Sequence, residues 1–110
     1  MIDEKLDKIE EKIRNASSMQ AENKSIVLDL LSDLKKELKE VDEKDTALLS
    51  NTGSFAEVGA NEVARENGDK GILDIALQGL NESVKGFEKS HPKLVQVINS
   101  ICTQLSNSGL

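Results

Sequence analysis

Residues 50–71 read SNTGSFAEVGANEVARENGDKG, and how this stretch folds decides the architecture of the chain. It contains four glycines, its apolar residues follow no strong period, and it separates two regions whose helical pattern is clear. Ser54 followed by Glu57 has the spacing of a capping box, in which each side chain satisfies a free backbone N–H of the other's turn. Asn67-Gly68 is a good helix stop, because glycine takes the left-handed conformation at low cost. An unstructured loop of this length is uncommon inside a domain. The expectation is a short helix within a glycine-containing linker. The stretch lacks the Gly-x-x-x-x-Gly-Lys-Ser/Thr order of a phosphate-binding loop and follows no strand, so nucleotide chemistry is not expected there.

On the N-terminal side, Ile2, Leu6, Ile9 and Ile13 repeat at four, three and four residues, with charged residues between them. This narrow stripe has the pattern of a coiled-coil seam rather than of a deeply buried helix. Asn15-Ala-Ser-Ser18 interrupts it, and Ser17 with Gln20 could box the start of a second helix, expected over roughly 19–49. Val27, Leu30, Leu31, Leu34, Leu38 and Val41 mark its apolar face, an arc of about 100°. The apolar phase slips between the two helices, which argues for a turn and an antiparallel hairpin over 1–49. The alternating Lys and Glu of residues 35–44 make a solvated face.

On the C-terminal side, Leu73, Leu77, Leu80, Val84 and Phe87 predict a third helix from near Ile72 to near Glu88. Leu94, Val97, Ile98, Ile101 and Leu105 predict a fourth, whose apolar arc of about 160° should touch two neighbours. Between them lies Ser90-His91-Pro92. Proline lacks the backbone donor and disfavours helical geometry in the residue before it, yet fits the first helical position well. The heptad phase runs on through Phe87, His91, Leu94 and Ile98, as a single kinked helix would keep it. An interior proline costs about 3 kcal/mol, which favours a break, with Ser90, His91 and Pro92 as a structural joint. Gly109 and Leu110 would close the last helix.

A second stripe runs along the third helix: Ala76, Gly79, Ser83 and Gly86, continuing to Ser90, with Ile72 and Ile75 at its N-terminal end. Either this is an exposed face under weak constraint, or its small side chains let another helix approach. That partner would be the fourth helix, the second, or the third helix of another subunit. Ala76, Gly79, Ser83 and Gly86 are therefore the candidate interface.

The chemistry-bearing residues are few. The chain of 110 residues has one His and one Cys, too few for a zinc or iron site of the ordinary kind, and no nucleophile or oxyanion arrangement accompanies His91. Cys102 lies one turn from Ile98 and Leu105 and reads as a small buried hydrophobe. No catalytic, metal or cofactor residues are expected, and the chain is not expected to be an enzyme. The net charge of −6 disfavours nucleic acid and anionic membrane as partners. Residues 1–71 carry 17 acidic and 11 basic residues; residues 72–110 carry three of each. No apolar run reaches the roughly 20 residues that span a bilayer, and MIDEKLDKIEEK does not read as a secretory signal, so a cytoplasmic protein is expected. With only Phe55 and Phe87 as aromatics, the core must be aliphatic, and a small aliphatic core raises the expectation of a homo-oligomer.

SVKGFEKSHPKLVQVINSICTQLSNSGL, residues 83–110, resembles the ending of a family of short helical bacterial proteins, domain of unknown function 4404. The resemblance lies in Phe87, Glu88, His91, Pro92 and Leu94, and then Leu105, Ser106, Asn107, Gly109 and Leu110. Beside that family, residues 50–71 look like an enlargement. The resemblance implies a small helical protein and supplies no activity. The combined expectation is an all-α, coiled-coil-like bundle of two hairpins, 1–49 and 72–110, joined by residues 50–71. Its expected function is self-association or protein interaction, as a scaffold or adaptor. The alternative is a small-ligand-binding or regulatory bundle, with a pocket between the hairpins.

Overall fold

The computed structural model describes residues 2–17, 19–42, 44–65 and 67–107, leaving aside the side chains of Ile2, Asp3 and Thr46. Among these residues there are five α-helices and no strand: α1 (Ile2–Arg14), α2 (Ala21–Lys39), α3 (Thr46–Ala64), α4 (Lys70–Ser83) and α5 (Pro92–Ser106). The all-α expectation holds. The division into two hairpins does not, because a fifth helix occupies most of the segment expected to be a linker.

The narrow stripe of α1 is used inside the molecule. Leu6, Ile9 and Ile13 are fully buried, and α1 packs first against α3 and then against α2. Polar bonds fix both contacts. Lys35 of α2 reaches Asp7 and Glu10 of α1, the latter at 2.6 Å, and Lys12 donates to the Asn61 side chain of α3. The Ser17–Gln20 capping box is not formed. Ala16 and Met19 turn into the core, so the helix begins after them, with Gln20 as an extended N-cap whose side chain makes no cap bond.

Val27, Leu31, Leu34 and Leu38 are the buried face of α2, on the expected stripe. The helix stops at Lys39 rather than near 49. Val41 folds back into the core, its N–H bonded to the Leu38 carbonyl, and Asp42 accepts from the Lys44 N–H at 2.9 Å to tighten the following turn. The chain then re-enters as α3, whose most extensive neighbour is α4 and whose second is α1. Leu48, Thr52, Ala56, Ala60 and Val63 are buried along it, as are Gly53 and Gly59. Small side chains cover little area, so this buried face carries no strong hydrophobic signal in the sequence.

The link from α3 to α4 is built on one buried carboxylate. Glu62 accepts from Arg65 Nη1 with both oxygens at 2.9 Å and from the Asp69 N–H at 2.9 Å. Asp69 in turn caps α4 by accepting from the Ile72 N–H at 3.1 Å. Burying a charge is costly unless it is paired and hydrogen-bonded, and here each carboxylate oxygen has a donor.

The third predicted helix ends at Ser83 instead of Glu88. Gly86 follows with φ +95°, a left-handed conformation that suits glycine, and its N–H is bound by Glu88 Oε2 at 2.8 Å. The joint at Ser90, His91 and Pro92 is a break. Pro92 is the first residue of α5, and the His91 N–H bonds the Phe87 carbonyl at 2.7 Å. Leu94, Ile98, Ile101, Cys102 and Leu105 are buried, and α5 touches both α2 and α4, as its wide apolar arc predicts. The expected closure by Gly109 and Leu110 lies outside the described residues. A radius of gyration of 12.9 Å is that of a folded chain of this length closing on its own core.

Candidate interaction face

The α3–α4 hairpin is antiparallel, and three contacts set its register. Thr52 Oγ1 lies 3.1 Å from Ser83 Oγ; since Ser83 donates to the Leu80 carbonyl at 2.6 Å, Thr52 is the donor of the first bond. The Phe55 ring lies directly on Gly79, where a Cβ would stand only 2.3 Å from the nearest ring carbon. Gly59 faces Ala76, Leu73 and Leu77, with 3.7–3.9 Å left to a Cβ placed on it.

Three of the four candidate interface residues therefore meet within one chain. Ala76, Gly79 and Ser83 hold α4 close to α3, which is not among the partner helices expected for this stripe. Gly86 does not belong with them, because nothing lies within 4 Å of a Cβ placed there and its conformation serves the turn. The small residues of α3 carry the matching signal: Thr52, Ala56, Gly59, Ala60 and Val63 recur at three- and four-residue steps. Read against the small stripe of α4, that spacing would have revealed the pair.

The outer side of this hairpin is the surface with unusual chemistry. Ile75 is 68 % exposed, Ile72 41 % and Val58 40 %; Ile26 on α2 is the other exposed large hydrophobe among the described residues. Helical geometry puts Val58 beside half-buried Phe55 on the outward side of α3, and Ile72 and Ile75 on the outward side of α4. Ile72 and Ile75 were visible in the sequence as the head of the small stripe. Phe55 and Val58 were not, because the stretch that holds them reads as linker.

The remaining chemical groups are placed as follows. His91 is half-buried at the N-cap of α5 without a side-chain cap bond, its ring 6.2 Å from that of Phe87. Cys102 is buried, donates to the Leu77 carbonyl at 3.6 Å, and burial pushes its thiol up to about 11. Among the described residues no group of three or more His, Cys, Asp or Glu is arranged to hold a metal ion, and no helix is long and apolar enough to cross a membrane. A depression of about 420 Å³ between α1 and the end of α3 is lined by Lys8, Glu11, Lys12, Asn15, Ala16 and Ala64, and it is largely open to solvent.

Comparison with curated proteins and with solved structures finds no match. A family model does match, over residues 2–110, and it includes the segment that sequence reading treats as an enlargement. With its helical fold and the Phe-Glu-x-x-His-Pro-x-Leu joint between α4 and α5, the chain belongs to the family described as Domain of unknown function (DUF4404).

Proposed function

We propose that this chain works by protein–protein contact, as a self-associating scaffold or adaptor of the bacterial cytoplasm. The observation that carries the reading is the apolar outer face of the α3–α4 hairpin, with Ile75 68 % exposed at its centre. Single exposed hydrophobes are ordinary, but clustered ones mark interaction surfaces. No feature of the fold requires Ile75 outside: the core is closed by Leu73, Leu77 and Leu80 on the other side of the same helix. The alternative, a small-ligand-binding or regulatory bundle, has the open depression between α1 and α3 as its candidate site. An open, mostly exposed depression is a poor ligand pocket, since such pockets bury most of their ligand.

The test is a photo-crosslinking residue in place of Ile75, irradiated in the living host. A discrete adduct is expected from position 75 and none from Asp74, which is exposed on another side of α4. Equal labelling from both positions would reject the face as an interaction site.

A further inference from the structure

The geometry points to a second copy of this chain as the occupant of that face, crossing it antiparallel about a two-fold axis near Val58 and Ile75. This deepens the reading above and rests on it. Arg65, the C-cap of α3 whose N–H still bonds the Asn61 carbonyl at 3.1 Å, follows Val58 by seven residues, and Glu82 follows Ile75 by seven, so each ion lies two turns along the outward side, about 10 Å away. Because α3 and α4 run in opposite directions, Arg65 lies toward the closed end of the hairpin and Glu82 toward the open end. Arg65 holds the buried Glu62 yet its side chain is 56 % exposed; Glu82 is 61 % exposed beside Lys85.

A two-fold contact is self-complementary, each patch meeting its own copy in reverse. With base and acid at opposite ends of the patch, a reversed copy brings Arg65 of each chain to Glu82 of the other. A copy laid in the same direction gains no such pairing. The two ions also sit on different helices, roughly 8–10 Å apart, so the line joining them is tilted by about 25° to the hairpin. Matching it to its reversed copy crosses the hairpins at about 50°, a common helix-packing angle. Phe55, Val58, Ile72 and Ile75 then lie inside the crossing. Four apolar residues and two ions make a small contact beside the 20–30 residues of a standard interface side, so the pair is weak and readily reversible.

A weak pair is best trapped. Ile75→Cys in the full chain, under mild oxidation, should form disulfide-linked dimers at least tenfold faster than Asp74→Cys, with Cys102 silent because it is buried. Adding Glu82→Arg to Ile75→Cys sets two positive groups against each other and should slow trapping about tenfold. Equal rates for Ile75→Cys and Asp74→Cys, or a rate indifferent to Glu82→Arg, would overturn the proposal. If trapping fails while the crosslinker at 75 captures a different protein, the second copy is wrong, and of the reading above only protein contact as an adaptor stands. If both fail, both are wrong.

Discussion

Gly79 and Gly86 look alike in the sequence, two glycines on one small-residue stripe, and the structure gives them different work. Gly86 supplies a left-handed turn in open space. Gly79 supplies room for the Phe55 ring, and any Cβ there must displace it. In a helix interior Ala is about 1 kcal/mol better than Gly, whereas overpacking costs about 1–3 kcal/mol. Gly79→Ala should therefore lower stability by about 1 kcal/mol in the native chain and raise it by about 1 kcal/mol in a Phe55→Ala background. Urea denaturation of the four chains in this cycle measures the coupling. The same effect in both backgrounds would show that the ring does not need the glycine.

The helix that sequence reading underrates is α3. Its residues include Gly53, Gly59 and the poor helix formers Ser50, Asn51, Thr52 and Ser54, so local preference for helix is weak. Tertiary contact forms it: α1 on one side and α4 on the other enclose Ala56, Gly59, Ala60 and Val63. Gly59 is the complement of Gly79, because the 3.7–3.9 Å around its missing Cβ is ordinary contact distance. Gly59→Ala should stabilise the protein by about 0.5–1 kcal/mol, adding contact and helix propensity without a clash. A lowered melting temperature would mean that α3 and α4 approach more closely than these distances indicate. The helices with large side chains at regular spacing, α1, α2 and α5, were legible in the sequence, as was the break at Pro92. Their ends were less so, since burial of Met19 and Val41 in the turns moves both ends of α2 inward.

At the scale of the molecule, Lys35 and Cys102 link stability to alkaline pH. Lys35 is held above its ordinary value first by its bond to Asp7 and then by Glu10. That contribution is complete below the ordinary lysine value, about 10.4, and is lost as pH rises through the folded one. Cys102 stays a neutral thiol in the fold up to about 11, while an unfolded chain ionises it from about 9.0. Between those values the unfolded state holds fewer protons, so stability falls as pH rises. Melting temperature should decline from about pH 9 upward, with Cys102 contributing on the order of 2 kcal/mol by pH 11. Cys102→Ala, though less stable at neutral pH, should show a flatter decline up to pH 10. An equally steep decline in that variant would remove the thiol from the account.

Periodicity and motif alone establish that this chain is helical, which large side chains make up most of the buried faces of α2, α4 and α5, that Pro92 begins a helix, and which family it belongs to. These follow from periodicity, from the missing proline N–H, and from a distinctive C-terminal motif, all local properties. Packing decided that residues 46–64 form one helix at the centre of contact, that Gly79 faces Phe55, and that the buried Glu62 carboxylate takes its donors from Arg65 and Asp69. Each of these depends on a residue far along the chain or on a turn whose geometry the packing sets. Small residues bury too little area to announce a helix locally, and they show their purpose only when the helix that fits against them is in place.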